Sequence, residues 1–96
     1  MTTVQFLQSK RDEILKIAKR HGVTALWVFG SVARGEAVES SDFDFLVEVG
    51  PERSPWFPGG LIVDLESLLG RKVQVVTKRG LNKFLRDRVL SEAMPI

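Results

Sequence analysis

Three short runs of β-branched and aromatic residues, at 25–29, 43–49 and 73–77, are separated by segments whose apolar residues recur at helical spacing. Strands this short persist only when paired, so the three must share a sheet that the helical segments cover. The first helical segment spans 4–20, where Val4, Leu7, Ile14, Ile17 and Ala18 recur among Lys, Arg, Asp and Glu until His21-Gly22 supplies a stop. His21 reads as a C-terminal cap favoured by the helix dipole. Gly30 ends the first strand in a tight turn, and residues 31–34 are expected to open a short helix. A loop at 52–60 carries Pro55, Trp56, Phe57 and Pro58, its aromatics serving either as core anchors or as partner contacts. The next helix, 61–69, aligns Leu61, Ile62, Leu65, Leu68 and Leu69, with Gly70 as its C-cap. Asn82 caps a last helix through Phe84, Leu85, Val89, Leu90 and Ala93 that stops before Pro95. The expected fold class is therefore α/β (α+β), a small mixed β-sheet flanked by helices.

At 96 residues the chain has room for one domain, 1–96, near the small end of what a single core can stabilise. It contains no cysteine, which excludes disulfides and thiolate metal sites and suits a reducing compartment. The first residues lack the basic-then-apolar pattern of a signal peptide, and no apolar run approaches membrane-spanning length. The expectation is a cytoplasmic protein with no membrane contact. Charge is uneven: residues 1–70 hold seven Lys/Arg against ten Asp/Glu, net −3, whereas 71–96 hold seven against two, net +5. An acidic part that can bind metal and a basic part that can meet phosphates suit a nucleotide site, although a solvated basic helix face explains the tail alone equally well.

The chemistry concentrates in Gly30-Ser31-Val32-Ala33-Arg34-Gly35 and Ser41-Asp42-Phe43-Asp44. Gly30 lets the backbone approach a ligand closely, and the amides from Ser31 onward can receive phosphate. Asp42 and Asp44 are two apart at a strand start, so both project from one face while Phe43 and Phe45 point into the opposite layer. Two carboxylates in one small space repel unless a cation lies between them, and Mg²⁺ takes a few carboxylate oxygens and completes its shell with water and substrate phosphates. Gly-Ser after a strand is common and an Asp-x-Asp is often a solvated turn, so each alone is weak; together they point to a metal-bound triphosphate. Arg34 either neutralises phosphate or pairs with Glu36 or Glu39.

These residues resemble the minimal nucleotidyltransferases of the DNA polymerase beta-like superfamily, whose signature is Gly-Ser, about ten residues, then Asp-x-Asp. The resemblance covers nearly the whole chain, including Leu68-Leu69-Gly70-Arg71-Lys72-Val73. It implies the nucleotidyltransferase fold, with Gly30 and Ser31 holding the phosphates of ATP or another nucleoside triphosphate, and Asp42 and Asp44 binding Mg²⁺. It also implies transfer of AMP to a protein. Small members of the family often pair with a helical HEPN toxin and act as its antitoxin by adding AMP to a tyrosine.

Family members usually carry a third Asp on the following strand, where this chain has Gln74. A neutral amide can accept a hydrogen bond or offer one oxygen to a metal, but it cannot act as a carboxylate base. Neither acid nearby in sequence replaces it: Glu48 is roughly 13 Å along the strand from Asp44 at about 3.3 Å per residue, and Asp64 belongs to the next helix. Three readings stand: a nucleotidyltransferase modifying a partner protein, a degenerate relative that only docks or binds nucleotide, and, ranked last, an RNA binder using 71–88. The last lacks the interleaved aromatics of a stacking platform. Whether the chain forms a homo- or hetero-oligomer is left open by its sequence.

Overall fold

The structure, a computed structural model, describes residues 2–38, 40–52 and 55–96. Among them, three strands and four helices follow in the order α1 (Thr3–Ser9), α2 (Arg11–Arg20), β1 (Val23–Phe29), β2 (Phe43–Val49), α3 (Gly59–Leu69), β3 (Val73–Thr77) and α4 (Lys83–Glu92). The sheet order is β1-β2-β3, with β1 antiparallel and β3 parallel to β2. This is the small mixed sheet flanked by helices that the sequence pattern implies. The antiparallel pair carries a register shift between Val23 and Ala25, and the parallel pair is joined through α3.

The single helix expected over 4–20 is two. Thr2 caps α1: its hydroxyl accepts from Gln5 N at 3.1 Å, while the Gln5 side chain accepts from Thr2 N at 2.9 Å. Lys10, with φ −104° and ψ 6°, ends α1 and starts α2. Neither glycine nor proline marks this break, so the apolar periodicity runs straight through it. In α2, Asp12 and Glu13 occupy the first turn and Lys19 and Arg20 the last, each suited to the helix dipole.

Strand alternation sorts β2 between two environments. Phe43, Phe45 and Val47 are buried in the main core with Leu26 and Val28 of β1, Val73 of β3, and Leu7, Ile14, Ile17, Leu61, Leu65 and Leu69 of the helices. Asp44, Leu46 and Glu48 take the other face of the sheet. The loop before α3 divides its aromatics: Phe57 packs against the core, whereas Trp56 is 82% exposed. Beyond α4 the chain returns to the free edge of β1, where Val28 and Met94 exchange two backbone hydrogen bonds of 2.9 Å. No helix of the described residues is long and apolar enough to cross a membrane.

Core and rim should respond very differently to truncation. Leu65→Ala, at a fully buried position, is expected to lose about 2–5 kcal/mol, whereas Leu85→Ala, at a position 50% exposed, should stay within about 0.5 kcal/mol. Urea denaturation of the two variants checks this; equal losses would mean that α4 is as much part of the core as α3.

Candidate active site

The site forms where β1 ends beside the start of β2. Gly30 adopts φ +73°, a backbone conformation that other residues rarely take. A Cβ added there would collide with Oδ2 of Asp44, so the Asp44 carboxylate sits directly against the Gly30 backbone. The ladder explains this closeness, since Phe29 and Asp44 are register partners.

Residues 31–34 do not form the short helix expected of them. They make successive turns, closed by Arg34 N to Gly30 O at 3.0 Å, Gly35 N to Val32 O at 3.1 Å and Glu36 N to Ser31 O at 2.8 Å. The last two bonds, with Gly35 at φ +73°, form a Schellman-type closure that ends helical winding after one turn. The amides of Ser31, Val32 and Ala33 donate to no described residue, which leaves three adjacent N–H groups at a buried glycine turn.

Asp42 lies one residue before β2 and Asp44 within it, so both side chains belong to the face opposite Phe43 and Phe45. Gln74 pairs in register with Asp44 across the parallel ladder, and its Nε2 lies 3.5 Å from Oδ2 of Asp42, a long hydrogen bond. Gly30, Asp42, Asp44 and Gln74 are thus one cluster. Burial first, and then the charge of Asp42, push the Asp44 carboxyl above its ordinary value, while Arg34 pulls it down. Among the described residues no group of three or more His, Cys, Asp or Glu is placed to hold a metal ion. Two carboxylates with a neutral amide still fit a divalent cation that draws its other oxygens from water and substrate, and the repulsion at Asp44 is what such a cation relieves.

Arg34 stands beside this cluster in ion pairs. Its Nε donates to Glu36 at 3.2 Å, and its Nη1 donates to both oxygens of Glu92 on α4 at 3.1 Å. Glu39 lies outside the described residues. Desolvation would raise the Glu92 carboxyl, but the hydrogen bonds and charge of Arg34, with help from Arg88, bring it below its ordinary value. Glu48 is engaged by Lys78 at 3.5 Å, and Asp64 by His21 at 2.7 Å, so neither stands in for a third site carboxylate. Sequence reasoning missed the Glu92 contact because a separation of 58 residues leaves no local signal. It also missed the side-chain role of His21, which caps α2 and bonds α3.

A glycine turn with three amides that meet no described partner thus lies against a strand start bearing paired carboxylates. Residues 11–96 match the family described as the nucleotidyltransferase domain, and the chain belongs to that family. A Methanocaldococcus jannaschii relative, named as a protein adenylyltransferase, is 40% identical over 86 residues, covering 90% of this chain and 92% of that protein. The protein adenylyltransferase MntA of Thermococcus cleftensis is 38% identical over 81 residues, covering 82% and 80%. The solved structure of a minimal nucleotidyltransferase superposes with a TM-score of 0.85 at 44% identity, covering 100% of this chain and 97% of that one. A toxin–antitoxin structure with AMP-PNP shares the fold, with a TM-score of 0.74 at 22% identity over 88% of this chain and 69% of the other.

The electrostatics of Asp44 give a pH test. A carboxyl raised in the folded state contributes stability that is fully present below its unfolded pKa and lost as pH rises through the folded one. With divalent cations chelated, Asp44→Asn should therefore raise the melting temperature near about pH 7, with the gain shrinking to nothing near about pH 3. A gain of equal size at both pH values would remove burial and like-charge repulsion as its cause.

Proposed function

We propose that the chain binds Mg²⁺ with ATP and transfers AMP, or with another nucleoside triphosphate the corresponding monophosphate, to a hydroxyl of a protein acceptor, as the cytoplasmic antitoxin partner of a HEPN-type helical toxin. The observation that carries this reading is the seating of the Asp44 carboxylate against Gly30, with Asp42 beside it and three free amides on the same turn. The names of the relatives supply the acceptor class and the toxin–antitoxin setting.

In this reading Gly30 allows the triphosphate to approach the backbone, and the amides of Ser31, Val32 and Ala33 donate to its oxygens. Asp42 and Asp44 would hold the divalent cation, whose chemistry when bound is to neutralise the triphosphate and polarise the α-phosphate. Arg34 brings a positive charge beside the cradle, restrained by Glu36 and Glu92. The acceptor oxygen bonds to the α-phosphorus as the bond to the β-phosphate oxygen breaks, pyrophosphate leaves, and the acceptor proton passes to solvent. Gln74 stands where a general base is wanted and cannot take that proton.

A second reading is favoured by that same residue. The Gln74 amide contacts Asp42 without supplying charge, so the site is also suited to bind nucleotide or a partner without turning over.

Incubation with Mg²⁺, ATP labelled on the α-phosphate and the product of the neighbouring gene separates the two. Label should pass to that partner slowly in the native protein and not at all in an Asp42→Ala, Asp44→Ala variant. Gln74→Asp should raise the rate by about 10²- to 10⁴-fold, the range of general-base assistance. Stable complex formation without label transfer, in the native protein and in Gln74→Asp alike, would leave only the binding module.

A further inference from the structure

Asp44 and Asp42 are held in different ways. Asp44 lies inside β2 and is paired on both sides, with Phe29 and with Gln74. Asp42 precedes the strand, so no ladder partner fixes its backbone. Its two flanking peptide groups are instead fixed by consecutive residues of the α3–β3 connection. Ser41 O, before Asp42, accepts from Arg71 Nε at 3.0 Å and also from Arg71 Nη2. Phe43 N, after Asp42, donates to Lys72 O at 2.9 Å.

The Arg71 guanidinium does more than meet one carbonyl. Its Nη2 donates to Val38 O at 2.7 Å, and its central carbon stands 4.4 Å from the centroid of the Phe43 ring. Val38 and Ser41 are the ends of a closed turn, with Ser41 N to Val38 O at 3.0 Å and Val38 N to Ser41 Oγ at 2.9 Å. Among the described residues no carboxylate pairs with Arg71. Its donors are directed to the turn that delivers Asp42, and its flat face lies on the ring that follows. A planar fork can satisfy two carbonyls and stack on an aromatic ring together, which an ammonium cannot do.

We infer that Arg71 is a positioning residue for Asp42, clamping the turn before it and the ring after it so that its carboxylate stays beside that of Asp44; this rests on reading the two as a divalent-cation site. Gly70 aims the chain for this role. It ends α3 at φ +69°, and Arg71 follows immediately.

The test is Mn²⁺ binding to the full chain in the presence of ATP, followed by electron paramagnetic resonance well below the melting temperature. Arg71→Met should weaken Mn²⁺ binding by about 10-fold or more, the scale on which residues supporting metal ligands act. Arg71→Lys, which keeps one donor and the charge, should recover part of that loss and covers the case in which Arg71→Met fails to fold. Asp64→Asn is the control for general loosening. It weakens the 2.7 Å bond between α3 and His21, away from the Lys72–Val73 peptide whose carbonyl holds Phe43 N, so Mn²⁺ binding should be unchanged. Native affinity in both Arg71 variants, or an equal loss in Asp64→Asn, overturns the role of Arg71 and leaves the cation site standing. Failure of the native chain to bind Mn²⁺ overturns the cation site and the inference with it.

Discussion

Two carboxylates confined at one end of a strand are the constraint around which this molecule is organised. Asp42 and Asp44 are close enough for the charge of one to perturb the other, and Asp44 is also partly withdrawn from water. No isolated peptide would hold them so, because free side chains would swing apart. The alternation of β2 supplies the force. Phe43 and Phe45 are fully buried, and burying them fixes the residues between and before them on the opposite face. Apolar burial on one side of the strand thus maintains electrostatic strain on the other, and core and site are two consequences of one period-2 pattern.

That coupling reaches only as far as the strand does. Asp44 inherits its position from the ladder, whereas Asp42 depends on contacts from elsewhere in the chain, which is why the structure commits a guanidinium to carbonyls around it. Arg34 shows a related economy. Its turn carries the three unbonded amides beside Asp44, yet Glu92 of α4 holds its guanidinium, so the last helix is tied to the candidate site by an ion pair as well as to β1 by the Met94 backbone pair. Helix α4 leaves Phe84 92% exposed, so its placement relies on such polar ties more than that of α3 does.

The sequence was legible where burial and local periodicity coincide. Strands 43–49 and 73–77 were readable residue for residue because each carries a continuous β-prone run bounded by Gly50 or by the Gly70 turn. The Asn82 cap, which accepts from Phe84 N at 2.9 Å, was readable because capping is a contact between neighbours. The break at Lys10 was not, since apolar spacing continues through it. The turns at 31–34 read as helix in the sequence because their closure depends on Gly35 adopting a positive φ, while the sequence shows only that Gly35 is able to. The cluster of Gly30, Asp42 and Asp44 was anticipated from residue types alone, but the hold on it by Arg71 and Glu92 was not, because side-chain contacts across 30 and 58 residues have no periodic signature.

Gln74 acts on two quantities in opposite directions. A third carboxylate in its register position beside Asp44 would add a further like charge to a pair already in repulsion, and the metal-free site would be harder to hold together. The amide removes that charge and turns a donor toward Asp42. The cation-free fold is eased by this exchange, while the attraction for a divalent ion and the capacity to take a proton both fall. On the proposed function, nucleotide capture by the amides of 31–33 would not depend on residue 74, so binding and turnover would be separable to a degree that a site with three carboxylates would not allow.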